Sequence, residues 1–218
     1  MKIISPYHEI LTPLDGDAIL PAIELAGRTC YKSEDKITPG SAEAFARRMV
    51  ASGHHSVIEH VSLTVKFVCD RGVTHELVRH RMASFSQEST RYANYSKEKF
   101  GSEITLIRPS FWSEDSPEYA AWAAAMQAAE DSYLELIDMG ARAEQARSVL
   151  PNSLKTEIVM SCNLREWRHV LNLRCAKAAH PQIRELLLPL LAELRDKLPA
   201  IFSDLAEKYI DPNRNHLS

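Results

Sequence analysis

Arg71, Arg79, Arg81 and Arg91 fall within residues 71–95, together with His75 and His80 and a run of hydroxyl and amide side chains that includes Ser84, Ser86, Gln87, Ser89 and Thr90. A guanidinium presents a planar fork of donors that grips phosphate through paired bonds and keeps its charge near neutral pH. Each charge-assisted bond of this kind contributes about 1.5–3 kcal/mol, so two or three would hold a nucleotide phosphate without a glycine loop. The chain has neither a G-x-G-x-x-G nor a P-loop, so a nucleotide or dinucleotide would be held by side chains. Residues 71–91 contain only Glu76 and Glu88 as acids, leaving more positive charge than local ion pairing absorbs.

Other chemistries start from the same residues. His54, His55, His60, His75 and His80 are possible metal ligands, but no H-E-x-x-H or comparable spacing joins them, and no metal is expected. A metal-dependent nucleotide phosphohydrolase using His54, His55, His60 and His80 is one competing reading. A non-enzymatic nucleotide- or RNA-binding module, using the arginines and tyrosines of residues 79–95, is another.

The 218 residues suffice for one substantial domain, and a net charge of -3 argues against a broad basic surface for nucleic acid. No apolar run reaches the length of a membrane span and the N-terminus lacks a signal-peptide pattern, so a cytoplasmic protein that avoids membranes is expected. Cys30, Cys69, Cys162 and Cys175 form no Cys-x-x-Cys pair and read as free thiols.

The elements that must position the arginines follow from periodicity. Residues 2–12 read as one short strand interrupted at Pro6, residues 18–31 as a helix, and Thr38-Pro39 as the opening of a second helix that stops at Gly53. Val61, Leu63, Val65 and Phe67 alternate with polar residues as a strand does. Residues 71–79 are helical in pattern, residues 84–95 extended or looping, and residues 104–107 a strand. Ser116-Pro117-Glu118 starts a long helix to about Met139, whose alanines permit close packing against another helix or subunit. A short helix over 141–150, a strand from Leu154 to Met160, a helix capped by Asn163 with Arg165 and His169 on one face, and a last long helix from Pro181 complete the chain. Strands interleaved with helices predict a single α+β domain over 1–218, ending in a flexible tail at 211–218.

Arg79-His80-Arg81, seven residues, then Ser89 and Arg91-Tyr92 resembles the signature of the flavin-dependent thymidylate synthases. The segment from Gly53-His54 to Glu59-His60, the Ala146-Arg147 turn before Pro151, and the stretch from Asn163 to Leu171-Asn172-Leu173-Arg174 are similar to further motifs of that family, in the same order. The resemblance implies a small, mainly antiparallel sheet flanked by long helices. It also implies a homotetramer binding FAD, with active sites at subunit junctions, that methylates dUMP to dTMP using methylenetetrahydrofolate and NADPH. Carried over by position, Ser56, Arg79, His80, Arg81, Gln87, Asn163, Arg165 and His169 would hold FAD. Glu76, Leu77, Val78, Arg79, Gln87, Glu88, Ser89, Thr90, Arg91, Arg147 and Arg174 would hold dUMP, and Arg174 would be catalytic. Glu76 stands where the family commonly has glutamine, and Gln87 where it often has glutamate. No cysteine lies in the arginine-rich motif, so the resemblance places the chemistry on the flavin and leaves the protein to orient and polarise.

Overall fold

The computed structural model describes residues 1–97 and 101–211; the tail expected at 211–218 lies outside them apart from Asp211. The architecture is α+β, with a small antiparallel sheet and a larger helical content. Six strands are present among the described residues: β1 (Lys2–Ile4), β2 (Tyr7–Ile10), β3 (Ser62–Asp70), β4 (Ser84–Gln87), β5 (Thr105–Ile107) and β6 (Lys155–Asn163). Four of them form a sheet in the order β2-β3-β6-β4, and β1 pairs separately with β5 in parallel. The single strand expected over 2–12 is therefore two strands, because Pro6 has no N–H to give a ladder.

The helices are α1 (Gly16–Thr29), α2 (Ser41–Ala51), α3 (Arg71–Leu77), α4 (Pro117–Asp138), α5 (Ala143–Ala146), α6 (Leu164–Arg174), α7 (Pro181–Lys197) and α8 (Pro199–Tyr209). Several boundaries differ from the sequence expectation: the helix expected over 141–150 is α5 followed by a 3-10 turn at Arg147–Val149, and the strand expected from Leu154 to Met160 runs from Lys155 to Asn163. Helix α2 begins at Ser41, not Thr38, because Gly40 turns the chain through φ 82° and the Ser41 hydroxyl takes the Thr38 N–H at 3.1 Å. The last helix is two helices: Leu198, at φ -134° and ψ 63°, is driven out of the helical region by the proline that follows it, and Pro199 then starts α8.

The chain divides into two compact units interleaved in sequence, Met1–His8, Lys66–Arg79 and Phe85–Val159 in the first, and Glu9–Val65, His80–Ser84 and Met160–Ser218 in the second. In the first, Tyr133 on α4 packs with Tyr95, Ile104, Leu106 and Leu154, and Trp122 and Met126 pack on the same cluster. The outer face of α4 leaves Ala120, Ala121, Ala124, Ala125 and Ala128 exposed.

In the second unit α7 packs on α8, α1 on α2, and α6 on both α7 and the 3-10 turn at His55–His60. Gly27 lets α1 lie close against α2, since a Cβ there would lie 2.5 Å from the Phe45 ring. Leu164 N–H donates to Val61 C=O at 2.9 Å and the Trp167 indole donates to Leu63 C=O at 3.0 Å, which pins the start of α6 to the strand beside it.

Candidate active site

In the first unit the motif sits where β4 ends. Asp70 caps α3 by accepting from Val73 N–H at 2.8 Å, and Arg71 N–H donates to Asn152 C=O at 2.9 Å, so α3 starts in a fixed place. Its other end carries Glu76, Leu77, Val78 and Arg79. Leu77 is fully buried and has only backbone to offer a ligand, whereas Val78 and Arg79 are exposed and Glu76 is half-buried.

From β4 the Gln87 side-chain amide donates to the hydroxyls of Thr74 at 3.0 Å and Thr156 at 3.3 Å. An amide suits those two oxygens, whereas a carboxylate would need both hydroxyls turned to donate. The next residue is held more firmly. Glu88 N–H donates to Glu157 C=O at 2.8 Å, and the Glu88 carboxylate accepts from Lys155 at 3.2 Å and from Tyr95 OH at 3.4 Å. Lys155 also reaches Glu157 at 2.6 Å, and Glu157 pairs with Lys66 at 2.6 Å. Burial pulls the Lys155 ammonium down, but the hydrogen bond to Glu157 and the charge of Glu88 outweigh it and hold the pKa above its ordinary value. The hydrogen bonds from Lys155 and Lys66 hold the Glu157 carboxyl below the ordinary carboxylate range.

Beyond Glu88 the chain turns. Ser89 Oγ accepts from Arg91 N–H at 3.3 Å, buried Thr90 accepts from the Arg147 guanidinium at 3.3 Å, and Arg91 lies 3.8 Å from Glu144. A cavity of about 680 Å³ opens along this segment, walled by Lys66, Gln87, Glu88, Ser89, Tyr92, Lys155 and Glu157 among others. The structure thus brings Gln87 to Arg91 together with Arg147. Lys66, Lys155, Glu157 and Glu144 were not anticipated. The signal for Lys155 and Glu157 was present, because the alternation of β6 puts both on the face opposite Thr156 and Ile158.

The second unit collects a different set. Asn163 caps α6 by accepting from Glu166 N–H at 3.0 Å, and Arg165 and His169 project one turn apart. Arg165 pairs with Glu59. These two side chains are shared by a cavity of about 390 Å³, which Glu59, Met82, Asn163 and Glu166 also line, and one of about 430 Å³ that includes His55, Arg168, Asp204 and Lys208. Ser56 and Arg81 are exposed.

His80 is 4% exposed, and its Nε2 accepts from Arg174 Nε–H at 3.1 Å. Its Nδ1 lies 3.5 Å from Glu166 Oε1, and the His169 ring meets it edge-on with centroids 5.7 Å apart. Burial, then the charge of Arg174 and of His169, pushes the His80 pKa down to about 4. The contact with Glu166 is therefore that of a neutral ring and not an ion pair.

His80, Glu166 and His169 also have the composition of a metal set, with ligand atoms within 4.8 Å of one another. The tautomer opposes that use. Nε2 accepts from a group that can only donate, so the one proton of the neutral ring sits on Nδ1, the nitrogen facing Glu166. That nitrogen has no lone pair to give a cation. His54, His55 and His60 do not join His80 in this group.

No described thiol is set up as a nucleophile within the motif. Cys69, Cys162 and Cys175 are buried and desolvation pushes their thiols up, Cys175 to about 12, while Cys30 is exposed at the end of α1.

Residues 18–200 match the family model described as thymidylate synthase complementing protein. The chain belongs to the flavin-dependent thymidylate synthase family. A flavin-dependent thymidylate synthase of Geobacter sulfurreducens is 37% identical over 190 residues, covering 84% of this chain and 80% of that protein. One from Pyrococcus furiosus is 34% identical over 183 residues, covering 84% of this chain and 74% of that one. Thymidylate Synthase X from Helicobacter pylori, solved with FAD and dUMP, shares the fold with a TM-score of 0.73 over 92% of this chain and 98% of its own, at 24% identity. A UMP/dUMP methylase from Streptomyces cacaoi, bound to 5-Br dUMP, also superposes with a TM-score of 0.73, covering 96% of this chain and 98% of that one, at 24% identity. Gln87 to Arg91 and Arg147 of the first unit, and Asn163, Arg165 and His169 of the second, fall on motifs by which the sequence resembles this family.

Proposed function

We propose that this protein is a flavin-dependent thymidylate synthase that methylates dUMP to dTMP, with FAD as cofactor, methylenetetrahydrofolate as carbon donor and NADPH as reductant. The observation that carries the reading is the 680 Å³ cavity walled by Gln87, Glu88 and Ser89 of the family motif, in a chain whose buried thiols are held protonated. No cysteine is among the described residues that wall it.

The chain's own residues have three tasks. Arg91 and Arg147, both exposed and both at the turn after Glu88, supply forks for the nucleotide phosphate, while Ser89 offers an exposed hydroxyl to the sugar and base and buried Thr90 holds the Arg147 guanidinium beside it. Arg174 supplies fixed positive charge for electron density that develops on the pyrimidine. Arg165 and His169, with Asn163 and the exposed Met82 beside them, fit a dinucleotide that has a diphosphate and a flat ring: a guanidinium and imidazole for the anion, an apolar surface for the ring. FAD, when bound, supplies the hydride chemistry that no side chain here can supply.

The reading extends to a homotetramer formed from one domain per chain over residues 1–218, for which the exposed alanines of α4 offer a closely packing face, and to the cytoplasm as its compartment, where four free thiols persist. No helix among the described residues is long and apolar enough to cross a membrane. The test is reconstitution of the purified protein with FAD, followed by dUMP-dependent oxidation of NADPH in the presence of methylenetetrahydrofolate. Formation of dTMP is expected. Its absence from flavin-loaded protein would sink the proposal, and light-scattering mass gives the assembly.

A further inference from the structure

Arg174 is an arginine with a histidine as its partner. A guanidinium can only donate, so whatever receives its Nε–H must present a lone pair. His80 Nε2 does so at 3.1 Å from a ring that is 4% exposed. The proton on the far side, at Nδ1, faces the Glu166 carboxylate at 3.5 Å. Glu166 and Arg174 both stand on α6, Glu166 in its first turn and Arg174 at its last position, and His169 between them closes on the His80 ring edge-on. The first turn is itself fixed, because Asn163 takes the Glu166 N–H.

We propose that His80 is a positioning residue for Arg174: its Nε2 lone pair fixes the plane of the guanidinium, and Glu166 holds the ring in the tautomer that makes this possible. This assigns to His80 a role other than the flavin contact implied by its place in the motif, and to Glu166 a role where none was assigned. It rests on the reading of Arg174 as the group that acts on the pyrimidine. The physical case is one of preorganisation. A donor aimed at charge that appears only in the transition state must be oriented beforehand, and misplacement by about 1 Å can cost a hundredfold in rate. An arginine tied only at flexible methylenes would not be so oriented; one tied at Nε has a single plane. Burial, the cation of Arg174 and the neighbouring His169 favour the neutral ring that the arrangement requires, against the opposing pull of the Glu166 carboxylate at 3.5 Å.

Three measurements test it. Long-range nitrogen–proton correlation spectra of the purified protein, which need neither flavin nor turnover, should show His80 protonated on Nδ1 and bare on Nε2; a proton on Nε2 would overturn the proposal. In the flavin-loaded enzyme, His80→Leu should lower kcat by about a hundredfold with flavin affinity within about threefold of the parent. His80→Gln, whose side-chain oxygen can reach the Nε2 position, should recover at least about tenfold of that loss. Loss of flavin affinity in step with activity in both variants, with kcat unchanged once flavin is saturating, would make the ring a cofactor contact and overturn the proposal. Should His80→Leu fail to fold, the spectrum of the parent protein and the His80→Gln enzyme still decide. A parent protein that binds flavin but makes no dTMP would sink the proposed function while leaving the tautomer measurement to judge the His80–Arg174 pair by itself.

Discussion

Lys155 holds Glu88. The ammonium lies 3.2 Å from Glu88 Oε2, and because Glu88 sits between Gln87 and Ser89, this contact, with those from Tyr95 OH and the Glu157 backbone, holds the middle of the segment that walls the cavity. Both side chains are largely buried, at 19% and 20% exposed, so solvent screens the pair only partly. Glu88, expected from the resemblance to contact dUMP, also has its carboxylate engaged by Lys155 and Tyr95.

Replacing Lys155 with methionine keeps the volume and removes the charge. Glu88 is then left facing Glu157 without its counter-ion, and the segment loosens. The expected outcome is a rise of roughly tenfold in KM for dUMP with kcat within about threefold, measured by steady-state kinetics. A pure stability loss with unchanged KM would refute the assignment.

Arg174→Ala should separate chemistry from cofactor binding. We expect kcat to fall by at least about a hundredfold, on the scale of losing one fixed donor to developing charge, while flavin affinity stays within about threefold. Near-normal turnover in that variant would remove Arg174 from the mechanism.

The thiols give a third check. Cys30 is exposed and the other three are buried with their thiols raised, so a disulfide reagent should titrate one group in the native protein and four after unfolding. Cys30→Ser should retain full activity. Loss of dTMP formation in Cys30→Ser would reopen covalent attack by sulfur.

His80 also makes stability depend on pH. Its folded pKa of about 4 lies below the ordinary 6.5, so between those values the unfolded chain binds a proton that the folded chain refuses. The contribution is complete above about pH 6.5 and is lost as pH falls toward 4, amounting to about 2 kcal/mol between pH 7 and 5. The groups around the ring are Arg174, His169 and Glu166; the first two oppose its protonation. Denaturant titrations should show this slope in the parent protein and a shallower one in His80→Gln. Equal slopes would show that the ring already accepts a proton in the fold.

Local signals made most elements legible. Ser116 before Pro117 starts α4 as its capping chemistry requires, accepting from Tyr119 N–H at 3.2 Å. Gly53 ends the second helix at φ 74°, and the buried alternation of β6 follows its sequence period residue by residue. What failed was local conflict: Pro199 inside an apolar stripe that otherwise continues, and Thr38-Pro39 outvoted by Gly40. The site was legible as two groups of residues and opaque as contacts. Lys155 and Glu88 are 67 residues apart in the chain and Arg174 and His80 are 94 apart, and no periodicity carries information over such spans. Motif resemblance could nominate His80 but not say what its nitrogens touch.

Strand β6 carries burial that alternates at every residue, with Thr156 and Ile158 inward and Lys155 and Glu157 on the other face. A slip of one position against β3 or β4 would turn every one of those side chains over, setting Lys155 and Glu157 into the apolar layer and withdrawing them from Lys66 and Glu88. The charges that shape the cavity are therefore also a lock on the pairing of the strands: the chain can close its sheet in one alignment only, and that alignment is the one in which the cavity exists. A sheet that folds has, by the same pairs, already built one wall of its site.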